Sequence, residues 1–293
     1  MGRDLAAAFP TARRVFEEAD ERLGMGLSRV CFEGPEEQLR LTEFAQPAIL
    51  TVSVAAYRTL ADLEGVVPAA LAGHSLGEWS ALVAAGALDF ADAVAGVRER
   101  GRLMQRAVPE GEGAMAAVIG LEAGVVAALC TEAAAGDVLA PANLNGAGQV
   151  VVAGHARAVA RLLPLAIAHH ARAQLLPVSA PFHCALMGPA AAGLARYLDG
   201  VRFREPVIPV FTSVEARRVE GAYELRDLLV RQVTTPVRWE ETLRAVVAFG
   251  ATVALEVGPG RVLTGLLRRS APAVTGVPAG DREGIARARE LLA

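Results

Sequence analysis

The chain alternates between segments with apolar residues at helical spacing and short, continuous apolar runs typical of buried strands. Residues 11–23, for example, place Val15, Phe16 and Ala19 on one helical face. Residues 42–63 are apolar nearly all round, which is typical of a helix packed inside a domain. The first third of the chain thus predicts helices at 11–23, 42–63, 78–85 and 89–108 and a buried strand at 66–72.

A different pattern begins near Gly113. Short apolar runs alternate there with helical segments in the order β-α-β-β-α-β, which is the ferredoxin-like pattern. The predicted strands lie at 114–120, near 138, at 149–154 and at 173–178, and the predicted helices at 122–134 and 155–171. We therefore expect residues 111–178 to form a small subdomain inserted between residues 1–110 and 179–293.

The last third of the chain returns to strands that alternate with longer helices. The predicted strands are 207–211 and 252–257, and the predicted helices are 225–232, 239–249 and 262–268. Such alternation predicts a largely parallel sheet covered by helices. The expected fold class is therefore α/β, with one large parallel-sheet subdomain built from residues 1–110 and 179–293.

Composition excludes several classes of function. The chain has 293 residues, enough for a sizeable core, and a net charge of −3 with dispersed basic residues, so no nucleic-acid surface is expected. Charged residues interrupt every apolar run before it reaches membrane-spanning length, and the first residues lack the pattern of a signal peptide. We expect a cytoplasmic protein that contacts no membrane.

The residue types also restrict the chemistry. The three cysteines are far apart and predict neither a metal site nor a disulfide framework. Lysine is absent, which excludes a P-loop lysine, a Schiff-base lysine and a Ser–Lys dyad. No metal is expected, and the chemistry must come from Ser, His, Arg and neutral polar groups.

Residues Gly73 to Gly77 form the G-x-S-x-G pattern of a nucleophile elbow. The pattern also occurs by chance in glycine-flanked turns, but here a predicted strand precedes it and a predicted helix follows it. We expect Ser75 to have a strained backbone, with both glycines required because side chains there would come too close. N–H groups at the helix start would favour negative charge near Ser75 Oγ, which makes Ser75 the candidate nucleophile.

A serine nucleophile needs a base, and histidine is the usual one. His183 lies in a rigid turn where the chain re-enters the large subdomain, which suits a residue that faces a cleft. His74 adjoins the serine, so its side chain should point away from Oγ; a structural role and a place in the pocket wall both fit. The remaining histidines belong to the predicted helix at 155–171, where we expect solvent-exposed positions: His155, His169 and His170.

Three arginines, Arg98, Arg100 and Arg102, lie on two turns of the predicted helix at 89–108. Most arginines on helices are solvent-exposed, and composition does not separate these three. Arg100 differs in its neighbour, because Gly101 allows another segment to approach closely. Arg100 is therefore the arginine that we single out.

Five motifs occur together and in order along nearly the whole chain. They are Gly73-His74-Ser75-Leu76-Gly77-Glu78, Arg100-Gly101-x-x-Met104-Gln105, Asn143-x-Asn145-x-x-Gly148-Gln149-Val150-Val151-x-Ala153-Gly154, Ser179-x-Pro181-Phe182-His183 and Val257-Gly258-Pro259-Gly260. In these motifs the chain resembles the malonyl-CoA:acyl carrier protein transacylases of fatty-acid synthesis and the related acyltransferase domains of polyketide synthases. The resemblance implies an α/β-hydrolase-like large subdomain with an inserted ferredoxin-like small one.

The resemblance also implies a ping-pong transfer of malonyl from malonyl-CoA to the phosphopantetheine thiol of an acyl carrier protein, with no cofactor bound by the enzyme. Ser75 matches the family nucleophile, which carries the malonyl group as an ester, and His183 matches its base. Gln232 matches the position whose backbone carbonyl orients that histidine, so no triad aspartate is expected. Arg100 matches the arginine that binds the malonyl carboxylate, which suits a planar, permanently charged fork.

Further pocket residues follow from the same resemblance. Leu76 should supply one N–H of the oxyanion hole. Phe182 and Leu76 both resemble malonyl-selective relatives, whereas methylmalonyl-selective ones tend to carry Ser before the histidine. A ring there leaves little room for a branch methyl, although one methyl is worth only about 1–3 kcal/mol of discrimination. Gln46 also matches a family position near the pocket.

The sequence departs from the family pattern at its start. Family members begin with a strand and a Gly-Gln-Gly loop whose glutamine gives the other oxyanion N–H, and Met1 to Leu5 match the segment that follows this loop. We expect the first residue to be internal to the natural protein. Without that segment, the sheet would lose a strand beside the elbow, and catalysis would lose a donor typically worth roughly 100–1,000-fold.

Two other interpretations stay open at this point. A serine hydrolase, such as an editing thioesterase, would give the acyl-serine to water. A truncated, catalytically weak chain would still bind the carrier protein. The leading hypothesis has malonyl-CoA and an acyl carrier protein as partners of a monomer, and the sequence does not distinguish fatty-acid from polyketide synthesis.

Overall fold

A computed structural model describes residues 1–292. Helices account for most of its elements. In chain order they are α1 (Arg3–Ala8), α2 (Pro10–Leu23), α3 (Leu27–Glu33), α4 (Glu36–Arg40), α5 (Thr42–Glu64), α6 (Gly77–Ala84), α7 (Phe90–Arg106), α8 (Ala123–Ala134), α9 (Ala156–Ala168), α10 (Gly188–Leu198), α11 (Ala222–Gln232), α12 (Trp239–Ala248), α13 (Val262–Ser270) and α14 (Arg282–Leu292). All helices that the spacing predicts are present, with ends shifted by a few residues. Within residues 1–292, no helix has the length and apolar character needed to cross a membrane.

The strands form three separate sheets. They are β1 (Leu71–Ala72), β2 (Gly113–Ile119), β3 (Leu139–Gly146), β4 (Gln149–His155), β5 (Arg172–Leu175), β6 (Val210–Thr212), β7 (Arg217–Arg218), β8 (Val253–Glu256) and β9 (Thr275–Pro278). One sheet has the order β1-β6-β7, a second has the order β3-β4-β2-β5, and β8 pairs with β9 in the third. The protein is thus a mixed α/β structure.

The prediction of one largely parallel sheet is wrong. β1 pairs in parallel with β6 and β8 with β9, but among the described residues no ladder joins the two pairs. Since β1 and β8 each have a single strand partner, the sheet is interrupted between them. The buried strand expected at 66–72 is correspondingly short and half-buried: only Leu71 and Ala72 are extended, and Val67 is 78% exposed.

The middle segment contains the predicted order of strands and helices. Its sheet is antiparallel throughout, with β2 and β4 at the centre, and α8 and α9 pack against it. One face buries a cluster of its own, in which Val118, Val152 and Leu162 are fully buried. On the opposite face, Met115 packs in a cluster with Cys184, which ties this sheet to the chain that follows it.

The long helix α5 lies in the main core, where it packs against α2, α6 and α7. The approach of α7 requires a glycine, because a Cβ on Gly101 would lie 2.5 Å from the carbonyl oxygen of Thr42. The close approach expected at Gly101 is therefore confirmed, and it brings Arg100 to the start of α5.

Candidate active site

The sharp turn between β1 and α6 presents Ser75. Ser75 has φ 50°, in the left-handed region that side chains rarely adopt, which confirms the expected strain. A Cβ on Gly73 would lie 1.9 Å from the backbone carbon of Gly77, so Gly73 cannot be replaced without moving the turn. The same requirement at Gly77 is wrong: a Cβ there meets no atom within 4 Å. Residue 77 is the first of α6 and faces open space.

Ser75 and His183 are in direct contact, although 108 positions separate them in sequence. Ser75 Oγ lies 2.7 Å from His183 Nε2, and His183 Nδ1 lies 2.8 Å from the backbone carbonyl oxygen of Gln232. A carbonyl only accepts, so Nδ1 carries the hydrogen and Nε2 is left to accept the Ser75 hydroxyl proton. The serine therefore faces a histidine in the tautomer that a general base requires.

Burial makes His183 a neutral base. The side chain is enclosed, and burial, reinforced by the positive charge of Arg100, lowers the pKa of His183 to about 3, while the hydrogen bond to Gln232 acts in the opposite direction. At neutral pH the imidazole is uncharged and free to accept a proton.

The guanidinium of Arg100 is buried beside the serine. Arg100 is 2% exposed; its Nη2 donates to Ser75 Oγ at 3.1 Å and to Gln232 Oε1 at 3.0 Å, and its Nη1 donates to Gln46 Oε1 at 2.7 Å. Its Nε is buried and has no partner within residues 1–292. Burial lowers the pKa of Arg100 to about 10, so the group stays charged at neutral pH. The guanidinium of Arg100 is thus a desolvated cation next to the nucleophile.

The side chain of Gln232 links Arg100 to a buried acid, Glu78. Gln232 Nε2 donates to Glu78 Oε2 at 2.9 Å and to the carbonyl oxygen of Ser75 at 3.1 Å. Glu78 Oε2 also accepts from the backbone N–H of Ser213 at 3.1 Å and from Ser213 Oγ at 2.9 Å. Burial raises the pKa of Glu78, and these donors act against that shift. Neither Glu78 nor Ser213 was predicted as a site residue from the sequence. An acidic residue at the start of an apolar helix was the available signal for Glu78.

His74 points away from Ser75 and toward the middle sheet. Its Nε2 lies 3.0 Å from Asn145 Oδ1 and 3.4 Å from Asn143 Nδ2, both on β3, and its ring stands edge-on to Trp239 at 5.5 Å. Burial lowers the pKa of His74. The residue therefore ties the elbow to β3. The sequence showed Asn143 and Asn145 only as members of a motif. Their contact with His74 could not be predicted because it depends on the fold.

The other predicted residues lie near this group in different ways. Leu76 is 8% exposed and caps α6, so its N–H belongs to the helix start. Gln46 is buried on α5, where its Nε2 donates to Thr42 Oγ1 at 2.8 Å and its Oε1 holds Arg100. Phe182 is half-buried between the main core and the Met115 cluster.

Three histidines lie outside this site. His169 and His170 are exposed, as expected. The exposed position expected for His155 is wrong: it is half-buried, and its Nδ1 accepts from the backbone N–H of Val138 at 3.0 Å. The reason is that His155 ends β4 and only caps the start of α9. No group of three His, Cys, Asp or Glu side chains in residues 1–292 is placed to hold a metal ion.

This arrangement combines a strained serine, a neutral histidine with a fixed tautomer, and a buried cation at the serine oxygen. Such a set can carry out acyl transfer through a serine ester. The chain belongs to the acyl transferase domain family, which matches residues 1–281. The family resemblance inferred from the five motifs is thereby confirmed.

The relatives within that family have a more specific name. The malonyl CoA-acyl carrier protein transacylase of Escherichia coli K12 is 47% identical over 292 residues, which cover 99% of this chain and 94% of the relative. The solved structure of the enzyme of that name from Coxiella burnetii has a TM-score of 0.96 at 41% identity, covering 99% of this chain and 92% of the other. A type II polyketide acyl-carrier protein in complex with its malonyl-transacylase gives a TM-score of 0.97 at 45% identity, covering 99% of this chain and 94% of that chain.

Proposed function

We propose that this protein transfers a malonyl group from malonyl-CoA to the phosphopantetheine thiol of an acyl carrier protein through a malonyl ester on Ser75. The observation that carries the proposal is the buried guanidinium of Arg100 at 3.1 Å from the oxygen of Ser75. A general esterase has no need of a desolvated cation there, whereas an acyl group that ends in a carboxylate does. The names of the family relatives support the same substrates.

In the first half-reaction, Ser75 Oγ attacks the thioester carbonyl carbon while its proton passes to His183 Nε2. In this proposal the N–H of Leu76, which caps the start of α6, stabilises the oxyanion that forms. The C–S bond then breaks, the proton on His183 returns to the sulfur of coenzyme A, and the malonyl ester of Ser75 remains. The Gln232 carbonyl holds the His183 ring throughout.

The second half-reaction repeats these steps with another thiol. His183 Nε2 takes the proton from the phosphopantetheine thiol as its sulfur attacks the ester carbonyl. The C–O bond to Ser75 breaks, and the proton moves to Ser75 Oγ, which restores the resting dyad. No water, metal or redox group enters this balance, and no cofactor of the enzyme is required.

Arg100 selects the acyl group in this proposal. A malonyl carboxylate accepts two parallel N–H bonds from the guanidinium, in place of the bond that Arg100 now donates to Ser75 Oγ. Gln46 accepts from Nη1 and Gln232 from Nη2, so the guanidinium is oriented before the substrate arrives. The ring of Phe182 and the side chain of His74 are proposed to form parts of the pocket wall.

We propose the following subdomain architecture. Residues 111–178 would form a ferredoxin-like subdomain, supported by the β3-β4-β2-β5 order, the antiparallel pairing and the separate apolar cluster. Residues 1–110 and 179–293 would form the larger, α/β-hydrolase-like part, supported by the strand–turn–helix of the elbow and the parallel β1–β6 pair. The Ser75–His183 contact lies in the larger part, and His74 connects it to the smaller one. We keep the expectation of a cytoplasmic monomer.

The proposal is tested by following both possible fates of the acyl group. Purified protein, malonyl-CoA and a holo acyl carrier protein are mixed, and malonyl carrier protein and free malonate are measured together. We expect malonyl carrier protein to be formed far faster than malonate, and the apo carrier protein to accept nothing. Release of malonate at an equal or faster rate would instead identify a hydrolase.

A further inference from the structure

The acid Glu78 is buried within the site but has no part in the acyl transfer described above. It lies three residues after Ser75, and it is 2% exposed. Its Oε2 accepts from Ser213 N, Ser213 Oγ and Gln232 Nε2 at 2.9 to 3.1 Å. These three hydrogen bonds act against the burial that raises the pKa of Glu78, and the negative charge of Glu78 in turn raises the pKa of Arg100.

The opposite charge lies on the other side of one amide group. Gln232 Oε1 accepts from Arg100 at 3.0 Å, and Gln232 Nε2 donates to Glu78 at 2.9 Å. The amide dipole is therefore aligned between cation and anion. By residue exposure, Glu78 and Arg100 are the two buried Asp, Glu or Arg residues in the part of the chain that the structure describes.

We propose that Glu78 is the resident counter-ion of Arg100 and sets how strongly the site prefers an acyl group with a carboxylate. This inference rests on the proposed malonyl transfer. A buried guanidinium requires a compensating anion while the site is empty. The same anion repels a substrate carboxylate that binds to Arg100, so it limits the preference for malonyl over uncharged acyl groups. Glu78 acts through Arg100 and is a specificity-determining residue that does not touch the reacting atoms.

The test is the isosteric variant Glu78→Gln, which keeps an acceptor for Ser213 and Gln232 but removes the charge. The rate of Ser75 acylation is measured with malonyl-CoA and with acetyl-CoA, and the ratio of the two rates is compared with the parent. The ratio removes any loss that affects both acyl groups equally. We expect it to rise about tenfold, the scale of the interaction between charges several ångströms apart in a protein interior.

Two further variants act as controls. Glu78→Asp keeps the charge and should restore the parent ratio. Asp137→Asn removes another acid whose side chain is 6% exposed and bound to Arg157 and Arg161, at the entry to β3, and should leave the ratio unchanged. A purely structural role of Glu78 would lower both rates and leave their ratio where it is.

An unchanged or lower ratio in Glu78→Gln, in protein that is still acylated at Ser75, would overturn the inference. If Glu78→Gln does not fold, Ser213→Ala replaces it, since it removes one donor to the carboxylate and should raise the ratio by a smaller factor; an unchanged ratio there counts against the inference. If the parent is not acylated by malonyl-CoA at all, the proposed function fails, and the inference falls with it. The two failures are thus distinguishable.

Discussion

The backbone carbonyl of Gln232 lies 2.8 Å from His183 Nδ1, in the place where a Ser-His-Asp triad has a carboxylate. A neutral carbonyl fixes the tautomer of the histidine without adding a negative charge beside it. Burial and the positive charge of Arg100 keep the pKa of His183 low, against the opposing effect of this hydrogen bond. The dyad is therefore poised with an uncharged base that returns its proton readily to a leaving thiol.

Replacing Arg100 should change acyl selectivity more than it changes the reaction itself. In Arg100→Ala a malonyl carboxylate enters a dry site with no cation, whereas an acetyl group lacks that charge. We expect the malonyl-to-acetyl ratio of acylation rates to fall by about 100-fold, the scale of a buried charge pair with one partner removed. Arg98→Ala, on the same helix and bound to the carbonyl of Leu23, is the control. Equal losses for both acyl groups would refute carboxylate binding by Arg100.

Replacing the two glycines of the elbow with alanine should affect the stability of the protein to very different extents. Gly73→Ala places a methyl group 1.9 Å from the backbone of Gly77, so we expect a loss of more than about 3 kcal/mol in the free energy of unfolding, or no soluble protein. Gly77→Ala has free space and a helical position, so its stability should change by about 1 kcal/mol or less. Urea unfolding measures both, and similar losses in the two variants would contradict the turn geometry.

Acidification should destabilise the folded protein through His183. Its pKa is lowered from 6.5 to about 3 by folding, so between these values the unfolded chain binds a proton that the folded protein does not. The folded protein therefore has its full stability, as far as His183 affects it, above pH 6.5, and it loses stability as the pH falls toward 3. Relative to His183→Asn, the free energy of unfolding of the parent should fall by up to about 1.4 kcal/mol per pH unit in this window. Parallel pH dependences would show that His183 is not buried in its neutral form.

The link between His74 and β3 should be measurable as stability. Asn145→Ala removes the acceptor 3.0 Å from His74 Nε2 and leaves a half-buried donor without this partner. We expect a loss of about 1–3 kcal/mol in the free energy of unfolding. Asn143→Ala is the matched comparison, since its contact with the same nitrogen is longer at 3.4 Å, and its loss should be smaller. The reverse order would assign the link to Asn143.

Sequence alone predicted the elements of the site better than the connections between them. The G-x-S-x-G motif and its flanking elements predicted Ser75, the context of the residues singled out His183 and Arg100, and the family resemblance added Gln232. The acid Glu78 was missed because its role depends on Ser213 and Gln232, which are more than 100 positions away. Local spacing contains no information on such contacts.

The sheets show the same limit. Apolar runs located β2, β4 and β8 to within a few residues, since burial shapes each strand locally. Pairing depends on which strands lie beside each other in the fold. The spacing of apolar residues along the chain could not reveal that β1 and β8 have one strand partner each. The burial of β1 was overestimated for this reason.

The most direct test is the intact mass of the protein after a brief incubation with malonyl-CoA, with Ser75→Ala measured alongside. We expect a mass increase of one malonyl group on the parent and none on the variant. We also expect added holo acyl carrier protein to remove the group, whereas buffer alone does not. A malonyl group that persists on Ser75→Ala, or that is lost to buffer as fast as to the carrier protein, would contradict transfer through Ser75.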